Sequence, residues 1–217
     1  MFITFEGIEG CGKSTQVRLL ADFLKDGTAT ILVTREPGGT EIGGKIRSIL
    51  LDSVNAKIDS LTELLLYEAD RAQHVEEIIR PCLEGKKIVL CDRFSDATLC
   101  YQGYARGFDL ELIERLHKII LKGLKPDMTF LLDCPVEIGL GRAWKRIALA
   151  AKNRKEDRFE REETGFHEKV RQGYLYLAKA EPARFHIIDA SQDIPAIHHD
   201  IASIVSSRLK SRNARTH

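Results

Sequence analysis

Cysteine is sparse and scattered. The five (Cys11, Cys82, Cys91, Cys100, Cys134) form no C-x-x-C clip, which argues against a disulfide framework or a structural zinc site. Long hydrophobic runs are missing as well: none approaches about 18 residues, the length that begins to suggest a membrane span. The first residues also lack the basic, apolar and small-residue regions of a signal peptide. Charge of one sign is absent, since 33 basic side chains face 32 acidic ones for a net +1. That balance argues against a protein that coats nucleic acid through bulk charge. There is no internal repeat or low-complexity tract, and an apolar content of 43% is too ordinary for disorder. These absences leave the expectation of a cytoplasmic, reduced protein with no membrane or nucleic-acid partner. At 217 residues, a single domain over 1–217 is the natural prior.

Five short apolar runs alternate with longer helical patterns. The runs, at 2–5, 30–33, 88–91, 129–132 and 185–188, are too continuously apolar for one-sided antiparallel strands and read as buried parallel ones. Segments of 3.6-residue periodicity lie at roughly 13–25, 60–84, 109–122, 136–152, 165–180 and 195–210. This alternation implies an α/β fold, three layers deep, with helices on both faces of the sheet. Ligands in such folds gather at the carboxyl ends of the strands.

Directly after the first strand stands Gly7-Ile8-Glu9-Gly10-Cys11-Gly12-Lys13-Ser14-Thr15, which satisfies G-x-x-x-x-G-K-[ST] between a strand and a helix. Its glycines let the backbone curl so that amide N–H groups converge on phosphate oxygens. In that setting Lys13 reaches the β- and γ-phosphates and Ser14 ligates Mg²⁺, so the chain is expected to bind a nucleoside triphosphate. The alternative, a glycine-rich turn before a helix, leaves the filled Lys-Ser positions unexplained. A loop of this kind does not name a reaction, because many enzyme classes share it. A carboxylate for the metal shell is expected at another strand end. Asp92 is the better placed, while Asp133 can instead cap a helix start. Arg93, next to Asp92, suits an acceptor phosphate that ATP would otherwise repel, although an Asp-Arg dipeptide also reads as a strand-end ion pair.

Three further segments fall at strand ends or on nearby helices. One is Arg35-Glu36-Pro37-Gly38-Gly39-Thr40. A second holds Tyr67 and Arg71, four residues apart and therefore on one helix face, suited to a base and its phosphate or simply to a core-edge contact. The third runs from Asp92-Arg93-Phe94-Ser95 to Thr98 and Tyr101-Gln102-Gly103. Between 142 and 161 there are eight basic and three acidic residues. A solvated helix face is the plain reading of that stretch.

With these residues quoted, the chain resembles the thymidylate kinase family across essentially its whole length. Phe5-Glu6-Gly7 through Thr15, Thr34 through Thr40, Ala69-Asp70-Arg71, Asp92 through Ser95 and Tyr101-Gln102-Gly103 carry the resemblance. It implies a P-loop NTPase fold with a five-stranded parallel sheet and a helical lid. The implied reaction is transfer of the ATP γ-phosphoryl group to dTMP, giving dTDP and ADP with Mg²⁺, in a homodimer. It places Gly7, Ile8, Glu9, Gly10, Cys11, Gly12, Lys13, Ser14, Thr15 and Arg142 at ATP, with Arg142 near the adenine. Ser14 and Asp92 fall to the metal. Glu36, Pro37, Tyr67, Arg71, Arg93, Thr98, Tyr101 and Gln102 fall to the acceptor. Tyr67 stacks on the base in this reading, Glu9 lies near the sugar 3′-hydroxyl, and Tyr101 lies under the deoxyribose. Catalysis falls to Lys13, Glu9, Arg93 and an arginine of a lid at about 142–161. Because Cys11 stands where many relatives carry a loop arginine, Arg154 or Arg158 is expected at the γ-phosphate.

Two rivals differ in what they require. A kinase for another nucleotide or a nucleoside leaves Tyr67, Tyr101 and Gln102 unexplained. A nucleotide-dependent switch calls for a guanine-specifying N-K-x-D motif, which the sequence lacks. The seven histidines, including His198-His199, form no metal or catalytic pattern.

Overall fold

Five apolar segments pair side by side into one parallel sheet, in the order β2-β3-β1-β4-β5. The computed structural model describes residues 1–25, 30–55, 57–149 and 156–213, with backbone alone at 212 and 213. In chain order its elements are β1 (Phe2–Glu6), α1 (Lys13–Leu24), β2 (Ile31–Arg35), α2 (Glu41–Leu51), α3 (Ser60–His74), α4 (Arg80–Glu84) and β3 (Ile88–Asp92). There follow α5 (Ser95–Thr98), α6 (Leu110–Leu121), β4 (Met128–Asp133), α7 (Val136–Leu149), α8 (Thr164–Ala180), β5 (Phe185–Asp189) and α9 (Ile194–Asn213).

The two-residue period of a strand divides the core. Ile3, Phe5, Ile88 and Leu90 join a larger cluster with α1, α8 and α9. Phe2, Val89 and Cys91 turn to the other face, toward Val75 and Ile79. Burial of every strand, as the sequence suggests, holds for β1, β3 and β4. It fails for β2 and β5, where Val33 is 46% and Ile187 55% exposed. These are the sheet edges, each with a neighbour on one side only.

Three segments depart from the expected helices. Residues 60–84 form α3 and α4 joined by a π turn, Val75–Ile79. Pro81, at the start of α4, has no N–H to return to the preceding turn, and a wider turn accommodates it. Residues 95–105 are helical, with α5 running into a second π turn, Leu99–Ala105. Helix α2 contains Gly43 and Gly44, which weaken its sequence signal; Thr40 starts it, its Oγ1 accepting the Gly43 N–H at 2.9 Å. Among the described residues, no helix is long and apolar enough to cross a membrane.

Candidate active site

Glu6, Arg35, Asp92 and Asp133 close their strands at one edge of the sheet. A cavity of about 590 Å³ opens there. The loop after β1 forms its floor, with Gly7, Gly10 and Gly12 at φ of 134°, 72° and 101°, all in a region that disfavours side chains. Helix α1 starts from Gly12 with no side-chain cap and no acidic residue in its first turn, so its positive end faces an anion unopposed. Lys13 is buried and curls over the loop, donating to Gly7 O at 2.9 Å and Ile8 O at 2.7 Å. The side chains of Ile8 and Cys11 point into the core, so what they offer the cavity is backbone.

Ser14 Oγ donates to Asp92 Oδ2, and Asp92 Oδ1 is buried with no hydrogen-bond partner among the described residues. A hydroxyl beside a carboxylate with a spare oxygen fits a hydrated Mg²⁺, which takes few protein ligands. Asp133, by contrast, is gripped by Arg171 of α8 in a fork at 2.7 and 2.9 Å.

Arg93 adopts φ 69°, unusual for a side-chain-bearing residue. Such conformations cost about 1–3 kcal/mol and persist where the surroundings over-determine them. Here Phe5 O accepts the Arg93 N–H at 3.0 Å, and Glu6 Oε1 accepts the Phe94 N–H at 2.7 Å. Glu6 also accepts the Tyr174 hydroxyl, and burial together with the Asp96 charge pushes its pKa above the usual carboxylate range. So held, Arg93 directs Nη2 to Glu9 Oε1 at 2.9 Å and to the Tyr101 hydroxyl at 3.0 Å. Tyr101 in turn donates to Glu9 Oε1 at 2.6 Å. Burial alone would raise the Glu9 pKa. The hydrogen bond from His167 and the charges of Arg93 and Lys13 outweigh it and hold the carboxyl well below its usual range.

Across the cavity, Arg71 is fully buried. It donates to Glu36 at 2.9 Å, Glu68 at 2.5 Å and Thr98 at 2.9 Å. Its guanidinium lies over Phe94, 5.7 Å from the ring centroid, and not over Tyr67, whose ring is near Phe159 instead. Gln102 donates to Glu63 at 2.9 Å. Pro37 follows Glu36 through a cis peptide bond and lines the cavity.

The lid arginines fall in different places. Arg154 lies outside the described residues. Arg158 is buried, with Nη2 at 2.6 Å from Glu63 and Nε at 2.5 Å from Leu50 O, so its charge is engaged at the acceptor end of the cavity. Arg142 donates to Ala190 O and Ser191 O beyond β5.

Several participants carry no sequence motif. Arg47 links Pro37 O to Glu156. His74 faces Glu36 at 2.9 Å, His117 faces Glu68 at 3.1 Å, and His167 faces Glu9 at 3.1 Å. Three of the seven histidines thus meet carboxylates of this site, through contacts 38, 49 and 158 residues apart in sequence. No local pattern names which carboxylate each one meets.

A family model described as thymidylate kinase matches residues 5–201. The thymidylate kinase of Geotalea uraniireducens is 56% identical over 208 residues, spanning 96% of this chain and 97% of its own. That of Geobacter sulfurreducens is 51% identical over 211 residues, with 97% and 99% covered. A crystal structure of thymidylate kinase from Ehrlichia chaffeensis has a TM-score of 0.75 at 38% identity, covering 95% of this chain and 98% of that one. Alike in sequence and in shape along nearly its full length, the chain belongs to the thymidylate kinase family.

Proposed function

We propose that the protein transfers the γ-phosphoryl group of ATP to dTMP, giving dTDP and ADP. One observation carries the reading: a single cavity is lined by Gly10, Gly12, Lys13 and Asp92 at one end and by Glu36, Arg71, Thr98 and Gln102 at the other, with Arg93 between. Two anionic substrates meeting there need cations at the junction more than they need a strong base, because charge spreads over the equatorial oxygens of a loose transition state. Arg93, fixed by Glu9 and Tyr101, bridges donor and acceptor phosphates. Lys13 exchanges its two loop carbonyls for β- and γ-phosphate oxygens. Ser14 and Asp92 hold Mg²⁺, which when bound neutralises charge on the phosphates.

On the acceptor side, Tyr67 and Phe159 give thymine an aromatic wall, and Arg71, Thr98 and Gln102 supply its polar contacts. The ring of Tyr101, 5% exposed and tethered through its hydroxyl, leaves little room for a ribose 2′-hydroxyl. Glu9 lies near the 3′-hydroxyl and Arg142 near the adenine. The segment at about 142–161 acts as a lid of one domain spanning 1–217, excluding water that would compete as acceptor. Arg154 is the better lid arginine for the γ-phosphate, since Arg158 must first leave Glu63. The enzyme works in the cytoplasm as a homodimer; exposed Leu61 and Leu65 on α3, with Leu112 and Ile119 on α6, support such an interface.

The test is an acceptor screen by coupled ADP release with MgATP. Turnover with dTMP far above that with dUMP, UMP and dCMP is expected. Comparable turnover with UMP overturns the specificity.

A further inference from the structure

His167, in the first turn of α8, is fully buried, with Nδ1 3.1 Å from Glu9 Oε2. The Glu9 carboxyl is ionised, so it accepts and Nδ1 carries the proton. The other ring nitrogen, Nε2, is buried without a hydrogen-bond partner among the described residues. Leaving a buried polar atom unpartnered is costly, and an apolar side chain of similar volume would avoid that cost. Packing therefore does not account for a histidine here; its bond to Glu9 does.

Glu9 uses its two oxygens differently. Oε2 meets His167, while Oε1 receives both the Tyr101 hydroxyl and Arg93 Nη2. With Oε2 tethered, the carboxylate cannot turn about its terminal bond, and Oε1 stays where Arg93 and Tyr101 converge. Seven residues along the same helix, Tyr174 donates to Glu6, whose other oxygen holds the Phe94 N–H. One face of α8 thus grips both carboxylates beside the strained Arg93 turn.

We propose that His167 is a positioning residue for phosphoryl transfer: by donating Nδ1–H to Glu9 Oε2 it fixes that carboxylate and, through it, the Arg93 guanidinium and the Tyr101 hydroxyl. The proposal rests on the kinase reading above. Wild-type turnover tests that reading by itself, and the ratio of each variant to wild type, measured with whichever nucleotide the wild type phosphorylates, reports on His167.

Three full-length variants decide it. In His167→Asn the amide N–H falls near the Nδ1 position; in His167→Gln it reaches toward Nε2; His167→Leu removes the donor. Steady-state kinetics are measured by ADP release and the fold is checked by circular dichroism melting. His167→Leu and His167→Gln are expected to lower kcat/KM for the acceptor at least tenfold, with KM for ATP within twofold of wild type. His167→Asn is expected to recover to within threefold. All variants within twofold of wild type would overturn the proposal. So would an Asn variant as impaired as Leu with an unchanged melting point. Should the Leu variant fail to fold, equal activities of Asn and Gln would be the overturning result.

Discussion

Replacing Gly139 with alanine sets the preference of a helix against the loop on which it rests. Gly139 lies in α7, and a Cβ there would stand 2.6 Å from Glu9 O and 2.8 Å from Ile8 Cδ1. The approach is reciprocal: a Cβ on Gly10 would collide with Gly139 O. Gly141, two residues further along the same helix, is exposed and has nothing within 4 Å of an added Cβ. Each glycine-to-alanine change gains about 0.4–1 kcal/mol within a helix. At Gly141 that gain stands alone. At Gly139 it is opposed by overpacking of about 1–3 kcal/mol. Because 2.6 Å is roughly 0.7 Å inside an ordinary C···O contact of about 3.3 Å, and the neighbour is backbone, loop or helix must move.

The net result for Gly139→Ala lies between about zero and about 2.6 kcal/mol of lost stability. The activity should fall further. The displaced atom belongs to the residue whose carboxylate holds Arg93, and misplacement of about 1 Å can cost on the order of 100-fold. A loss of at least about tenfold in turnover is therefore expected for Gly139→Ala. Gly141→Ala should keep full turnover and gain about 0.4–1 kcal/mol. Urea unfolding followed by circular dichroism gives the stabilities, and coupled ADP release gives the rates. A Gly139→Ala enzyme as active as Gly141→Ala and equally stabilised would refute the reasoning, since the close contact would then carry no constraint.

Two further outcomes follow from single groups. Lys13→Ala removes the charge that spans the loop and is expected to lower turnover by about 100- to 1000-fold or more while the far-ultraviolet spectrum stays unchanged; retained turnover counts against the phosphate role. Asp70 is buried near Glu36, which raises its pKa from 3.8 to about 6 despite the Gly38 N–H it accepts. The folded state therefore binds this proton more tightly than the unfolded state. Its contribution is full below 3.8 and fades as pH rises through 6. Between about pH 5 and 7.5 the wild type should lose about 1.4 kcal/mol that Asp70→Asn does not. Denaturant unfolding of both proteins at the two pH values checks this, and a constant difference between them overturns it.

The sheet was legible because each strand leaves a continuous apolar run, buried on both faces in β1, β3 and β4, and the phosphate loop because its chemistry is packed into nine consecutive residues. The second helix escaped because Gly43 and Gly44 dilute its pattern, and the helix after Ser95 because a π turn shifts its buried face out of the 3.6-residue register. The basic stretch at 142–161 shows in the sequence as charge, without its contacts. Charge density in a sequence says nothing of partners, and Arg158 proves to be buried against Glu63.

The site residues divide along a similar line. The phosphate end of the cavity is lined from strand ends, by Gly10, Gly12, Lys13, Asp92 and Arg93, where neighbours in sequence are neighbours in space. The acceptor end, with Tyr67, Arg71, Thr98 and Gln102, comes from helical segments, where periodicity reveals which face is buried and not what it meets. Helix α3 buries Glu63, Glu68, Asp70, Arg71 and His74, residue types that in isolation read as a solvated face. Each is affordable only through partners such as Glu36, Arg158 and His117, which lie 35 to 95 residues away. Helix α8 shows the converse, with His167 at one end of an otherwise apolar stripe through Val170, Gly173, Tyr174 and Ala178. A polar residue interrupting such a stripe must find a partner or be costly, so the sequence does signal a bond. Which carboxylate receives it follows only from β1 and α8 being brought together on the sheet.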